Sequence, residues 1–126
     1  MRFNYWQTFY EGGYYHVYNR AVGRDSIFLN DGNYKFFLKK WVQYIHAYVD
    51  TYAYCLMGNH FHYLIRIKPI TDSLRQHVQA ENTVASKRFY AGEIKLDVFL
   101  EDQFKRYFSA YTLAYNKQHK RHGGLF

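Results

Sequence analysis

Two histidines separated by one residue, His60 and His62, have the types and spacing in this sequence best suited to chemistry. His60 immediately precedes, and His62 lies within, the segment 61–68, in which apolar and polar residues alternate as in a half-buried β-strand. Because side chains two residues apart in a strand point to the same face, the two imidazoles are expected to project side by side. Paired imidazoles on a rigid strand suit a divalent metal ion.

The predicted histidine face also carries positive charge. Leu64, Arg66 and Lys68 continue that face, whereas Phe61 and the apolar residues alternating with it face the core. A metal that polarises a phosphate, with cations beside it to hold neighbouring phosphates, suits a phosphodiester substrate. The spacing alone leaves a second interpretation open, in which these are two partly exposed histidines with no ligand role.

The elements that would position this face follow from local signals. Gly58-Asn59 is a tight-turn signal between two predicted strands, so residues 50–57 and 61–68 are expected to form a β-hairpin. An irregular arm is predicted over residues 1–13, followed by a first strand over 14–20. A first helix is predicted from the Asn30-Asp31 cap, along a stripe of apolar residues at helical spacing that reaches Tyr48. A second helix is predicted from Thr71-Asp72 to about residue 90, and residues 91–100 are left unassigned. A last helix is predicted from Glu101 to His119, ended by Gly123-Gly124.

This order, β-α-β-β-α followed by a further helix, predicts an α+β fold with a ferredoxin-like or RRM-like antiparallel sheet. The helices of such a fold pack on one face of the sheet and leave the other face available to a ligand. The length of 126 residues fits a single domain over residues 1–126.

The composition points to a polyanionic partner. Seventeen Lys and Arg against ten Asp and Glu give a net charge of +7. Aromatic residues make up 22% of the chain, which fits either a tyrosine-rich core or exposed rings that stack on unpaired bases. The lone Cys55 is expected to be a small buried residue. With no apolar segment suited to a membrane span or a signal peptide, the sequence predicts a cytoplasmic protein with no membrane partner.

Three segments resemble one family, the single-tyrosine HUH transposases of insertion sequences and repetitive extragenic palindromes. They are Met57-Gly58-Asn59-His60-Phe61-His62-Tyr63-Leu64-Ile65, Tyr15-His16-Val17-Tyr18-Asn19-Arg20, and Ser109-Ala110-Tyr111-Thr112 through Tyr115-Asn116-Lys117 to Gly123-Gly124-Leu125-Phe126. The first is similar to the family's His-hydrophobe-His signature. The resemblance implies that His60 and His62, with a polar residue of a later helix, bind Mg²⁺ or Mn²⁺. It further implies a homodimer that nicks and rejoins single-stranded or hairpin DNA through a 5′-phosphotyrosine intermediate.

The family's nucleophilic tyrosine follows the Gly-Leu-Phe segment, whereas this sequence stops at Phe126. The expectation is therefore a transposase-like HUH domain without its C-terminal catalytic-tyrosine helix. Tyr111 is the fallback nucleophile, although its spacing to Phe104 and Tyr107 also fits the apolar stripe of the last helix. His16 would approach the histidine pair only if the first strand lies beside the third.

Six cations are expected to contact DNA phosphates, with the first three on or near the histidine face and the others in a basic tail: Arg20, Arg66, Lys68, Lys117, Lys120 and Arg121. The basic tail equally fits a solvated helix end. Three other functions remain open. The chain could be a truncated or domesticated relative that only binds nucleic acid, a replication initiator or relaxase, or an RNA-recognition-like module.

Overall fold

A computed structural model describes residues 8–126. Residues 8–13 precede the first strand without regular structure, and the rest of the predicted arm, 1–7, lies outside the described residues. The elements are β1 (Tyr14–Arg20), α1 (Asp31–Tyr44), a 3₁₀ turn (His46–Tyr48), β2 (Val49–Met57), β3 (His60–Ile67), α2 (Asp72–Glu81), α3 (Val84–Tyr90) and α4 (Leu96–His119). The strands form one antiparallel sheet in the order β1-β3-β2, which confirms the predicted α+β class.

The middle strand, β3, divides the molecule into two sides. Phe61, Tyr63 and Ile65 are completely buried under the helices, as their alternation predicted. Trp41 of α1 stacks on Tyr63 with ring centroids 3.7 Å apart, and Phe108 of α4 lies 5.4 Å from Phe61. Strand β3 lies between the other two strands. Because side chains alternate along a strand, residues 60, 62, 64 and 66 face away from the helices.

Helix α1 begins where the sequence predicted. The side chain of Asn30 accepts a hydrogen bond from the backbone N–H of Asn33 at 2.9 Å, which is the geometry of an N-cap. The helix ends at Tyr44, and the apolar period continues through Ile45 and a 3₁₀ turn to Tyr48, both of which are buried. The helical period therefore identified four core residues, Phe37, Trp41, Ile45 and Tyr48, but placed the helix end too late.

The prediction of one continuous second helix from Thr71-Asp72 to about residue 90 is wrong. Two helices, α2 and α3, are separated at Asn82, whose φ of 55° lies in the left-handed region. Thr83 then caps α3 in a reciprocal arrangement with Ser86. Asn tolerates the left-handed conformation better than most residues, and Thr favours N-cap positions, so this break has a local cause.

Helix α4 begins at Leu96, five residues before the predicted start. The extra turn buries Leu96, Phe99 and Leu100 against the core. The helix ends with Lys120 in the left-handed region at φ 52°, ahead of the glycines expected to end it. At 24 residues α4 is the longest helix, yet within residues 8–126 no helix combines the length and apolarity needed to cross a bilayer.

Cys55 is exposed, and its predicted burial is wrong. It lies opposite His62 on the edge strand β2, on the face that no helix covers. The neighbouring Tyr54 and Leu56 face the helix side, so alternation alone turns Cys55 outward.

Candidate functional site

The face of the sheet opposite the helices, here called the open face, carries the candidate site. Strand register arranges its side chains in four cross-strand rows. From one end to the other, in the order β1, β3, β2, the rows are Arg20–His60–Met57, Tyr18–His62–Cys55, His16–Leu64–Ala53 and Tyr14–Arg66–Asp50.

His60 and His62 share this face, as their spacing predicted, with ring centroids 5.2 Å apart and planes at 85°. Nδ1 of His60 lies 2.7 Å from Oδ1 of Asn59. An amide oxygen only accepts, so Nδ1 carries the proton and Nε2 keeps a lone pair that can bind a metal.

The turn that presents His60 is anchored by a neighbouring loop. The backbone N–H of Ala21 donates to the carbonyl of Asn59, and that of Ile27 donates to the carbonyl of Gly58, both at 2.8 Å. The N–H of Phe28 donates to the same Gly58 carbonyl at 3.1 Å. The loop that follows β1 therefore holds the hairpin turn in place.

His16 also belongs to the site, because β1 lies beside β3. Nε2 of His16 is 2.7 Å from Nδ1 of His62, and the two rings stack with centroids 4.9 Å apart. One of these nitrogens must donate and the other accept. When His62 donates from Nδ1, its Nε2 presents a lone pair, as Nε2 of His60 does.

The surroundings of His62 favour its neutral form. Partial burial lowers the pKa of the imidazole below its ordinary 6.5, and the neighbouring His16, His60 and Arg20 lower it further. Metal ligation requires a neutral imidazole, so this shift suits a ligand.

The chemistry of the donor set fits part of a metal site. His60 and His62 supply two imidazole nitrogens, and an imidazole pair suits a divalent transition metal. Within residues 8–126 no group of three or more His, Cys, Asp or Glu side chains is arranged to hold a metal ion. The described residues therefore offer two ligands, and a complete coordination sphere needs oxygen donors from elsewhere.

Two of the predicted DNA-binding cations lie on the open face. Arg20 is exposed in the row of His60, and Arg66 lies in the row farthest from it. Arg66 donates from Nε to the carbonyl of Gly12 at 3.3 Å, and its guanidinium carbon is 5.8 Å from the centroid of the Tyr14 ring. Lys68 follows β3 and lines a cleft beside its last residues.

The other three predicted cations are grouped at the C-terminal end of α4. Arg121 donates to Asp25 at 2.9 Å and to the side chain of Asn116 at 2.7 Å, so its charge is used to tie the end of the helix to a loop. Lys117 and Lys120 are exposed nearby. These three residues thus lie at or just beyond the C-terminal end of α4 and belong to none of the four rows of the open face.

Tyr111, the fallback nucleophile, belongs to the core. It is 1% exposed and its hydroxyl donates to the carbonyl of Ile27. Burial raises its pKa well above the ordinary value for tyrosine. This burial confirms the stripe interpretation of Tyr111, and it argues against the alternative in which Tyr111 attacks a phosphate on the open face.

Sequence analysis missed two residues of the site. Tyr18 is 64% exposed, with its ring centroid 4.7 Å from that of His16 and 5.9 Å from that of His62. Asn59 fixes the proton of His60. The alternation of β1 already put Tyr18 and His16 on one face, but only the pairing of β1 with β3 brings that face to His62.

Comparison with protein-family models, curated proteins and solved structures finds no match to this chain.

Proposed function

We propose that this chain is the DNA-binding, metal-binding domain of a strand transferase of the single-tyrosine HUH transposase type. It binds single-stranded or hairpin DNA and takes part in nicking and rejoining it. The observation that carries the proposal is the grouping of His16, His60 and His62 on a bare sheet face beside Arg20. The net charge of +7 favours the polyanionic substrate.

His60 and His62 would hold the divalent ion, Mg²⁺ or Mn²⁺, through their Nε2 atoms. When bound, such an ion polarises a phosphate and stabilises the charge that develops on it. His16 keeps the His62 ring in the tautomer that leaves Nε2 unprotonated, and Asn59 does the same for His60. Arg20, in the same row as His60, would contact a DNA phosphate.

The reaction replaces one phosphoester by another. A tyrosine oxygen attacks the phosphorus, the bond from phosphorus to the 3′ oxygen breaks, the tyrosine proton passes to solvent, and the leaving 3′ oxygen takes up a proton from solvent. The products are a 5′-phosphotyrosine and a free 3′-hydroxyl, and the reverse attack by another 3′-hydroxyl rejoins the strand. We propose a tyrosine other than the buried Tyr111 for this role. The enzyme acts as a homodimer in the cytoplasm.

A second function, DNA binding without cleavage, is favoured by one finding. Residues 8–126 contain no third His, Cys, Asp or Glu ligand arranged around the histidine pair. A binder of this type would use the same open face and cations. It would show a strong salt dependence of affinity, because phosphate contacts release counterions.

One experiment separates the two functions. Hairpin oligonucleotides with single-stranded flanks, labelled at either end, are incubated with the full-length protein and Mn²⁺ or Mg²⁺ and run on a denaturing gel. Strand transfer predicts that the 3′-labelled DNA shifts to the size of a protein adduct while the 5′-labelled DNA shortens. Peptide mapping of the adduct then identifies the tyrosine.

The variants His60→Ala and His62→Ala should abolish nicking and adduct formation but leave hairpin binding within about threefold, because metal chemistry and phosphate contacts are separate contributions. His46→Ala, which changes an exposed histidine outside the open face, is the matched control. Cleavage that survives the double substitution overturns the metal assignment. Binding with no adduct supports the binder, and an absence of binding overturns both functions.

A further inference from the structure

A second cluster of side chains lies at the end of the open face farthest from His60. The rings of Tyr14 and Tyr52 have centroids 5.8 Å apart and planes at 30°. Both are largely exposed, at 65% and 55%. Arg66 lies in the same row as Tyr14, with its guanidinium against that ring.

Tyr52 reaches this cluster because β2 contains a bulge. Thr51 pairs with Ile65 and Ala53 pairs with Leu64, so Tyr52 is an extra residue in the strand. In a bulge two residues oppose one residue of the partner strand, and the bulged side chain is re-aimed. In an unbulged strand, Tyr52 would share the helix side with Tyr54, two residues away.

The bulge therefore exposes a large aromatic ring that the core does not use. The ring of Tyr52 lies beside that of Tyr14, and hydrogen bonding with Tyr14 raises the pKa of Tyr52. Among the described residues Arg66 forms no ion pair, although Asp50 lies beside it in the row. Tyr14 on β1 and Tyr52 on β2 face outward, and Arg66 lies on β3 between these two strands. Together they form a flat aromatic and cationic surface.

We propose that Tyr14, Tyr52 and Arg66 form a base-stacking subsite for single-stranded DNA, in which the rings contact bases and Arg66 contacts a phosphate. The inference rests on the proposed function and adds a second point of contact for the strand. His62 and Arg66 are four positions apart, which corresponds to about 13 Å of an extended strand. That distance corresponds to about four nucleotides at the stacked spacing of 3.4 Å, and to fewer where the DNA is stretched.

The chemistry of the cluster selects an unpaired strand. Every base has a π-face on which a tyrosine can stack, so the contact does not depend on sequence. In a duplex those faces are covered by the neighbouring base pairs, and a flat protein surface cannot reach them. The arginine adds a phosphate contact that any strand can make, so the discrimination comes from the two rings.

The test compares two tyrosines of the same strand. Tyr52→Leu removes a ring from the open face, whereas Tyr54→Leu removes an equally exposed ring, at 57%, from the helix side. The probe is a fluorescent oligodeoxythymidylate of about 20 nucleotides, longer than the site size of a single small domain. Its affinity is measured by fluorescence anisotropy, with a duplex of the same length for comparison, and thermal melts establish that both variants fold.

Tyr52→Leu should raise the Kd for the single strand about fivefold to thirtyfold, as loss of a base–aromatic stack does elsewhere. Tyr54→Leu should leave that Kd within about twofold, and neither variant should alter the weaker duplex binding. Equal Kd values for Tyr52→Leu and the unsubstituted chain overturn the subsite, as does duplex binding as tight as single-strand binding. Metal-dependent nicking is scored separately in the unsubstituted chain, so failure of the subsite is distinguishable from failure of the proposed function.

Discussion

The two faces of β3 differ in what constrains their residues. On the helix side Phe61, Tyr63 and Ile65 are completely buried, and packing determines their types. On the open face the described residues place no helix over His60 and His62, so core packing does not account for two adjacent imidazoles there. Within β3, the uncovered residues are therefore the ones that point to a function, whereas the buried ones are explained by packing.

Tyrosines follow the same division. Tyr63 and Tyr107 are fully buried with their hydroxyl oxygens 3.1 Å apart, and burial raises the pKa of both. Each buried hydroxyl thus has a partner, as the cost of burying a polar group requires. Tyr14, Tyr18 and Tyr52 are instead exposed on the open face. The same residue type therefore occurs both buried in the core and exposed on the open face.

The largest expected effect tests the division between the faces directly. Phe61→Ala should lower the free energy of unfolding by about 3–5 kcal/mol, because it leaves a cavity in a fully buried site. His62→Ala, one residue away, should change that free energy by about 0.5 kcal/mol or less. Denaturant-induced unfolding measures both. A loss of more than about 2 kcal/mol in His62→Ala would make the histidine face part of the core and break the comparison.

An intermediate effect is expected at Tyr111. Tyr111→Phe removes the hydroxyl that donates to the Ile27 carbonyl, and should lower the free energy of unfolding by about 1–2 kcal/mol because the buried carbonyl loses its partner. Binding of hairpin DNA, measured alongside by anisotropy, should not change. If DNA cleavage is lost in this variant while stability is kept, Tyr111 acts in catalysis and its assignment to the core is incomplete.

The smallest effect concerns the charge state of the open face. In the metal-free protein His62 should titrate below pH 6.5, as followed by NMR of its ring protons. Arg20→Gln removes one positive neighbour and should raise that pKa, but not above 6.5, because burial is the larger cause. Arg24→Gln, at an exposed position outside the rows, is the control.

The lowered pKa of His62 also makes the free energy of unfolding depend on pH. Because the folded pKa of His62 is depressed, the unfolded chain takes up the proton more readily. The stabilisation is present above about pH 6.5, the ordinary histidine pKa, and is lost as the pH falls through the folded pKa. A titration midpoint of His62 above 6.5 would contradict this account.

Local signals predicted much of the fold. Alternation identified both faces of β3, Gly58-Asn59 identified the hairpin, and Asn30 identified the start of α1. The start of α4 depended on tertiary burial of Leu96 and its neighbours, which no local period revealed. The break at Asn82 rests on one left-handed residue within an otherwise helical pattern.

The site was predictable only within one strand. His60 and His62 lie two residues apart in sequence, so strand geometry sufficed to pair them. The contact of His16 with His62 spans 46 positions and depends on the register of β1 against β3. The bulge that exposes Tyr52 likewise appears only in the pairing of β2 with β3. Long-range register is the physical information that a single sequence lacks.

The anchored hairpin turn lowers the entropic cost of binding the proposed metal ion. The backbone donors of Ala21, Ile27 and Phe28 hold the turn at Gly58 and Asn59, and Asn59 in turn orients the His60 ring. The entropy of ordering this imidazole is therefore lost during folding and not on binding of the proposed metal ion. A preorganised imidazole of this kind permits fast association, since no slow loop closure has to precede it.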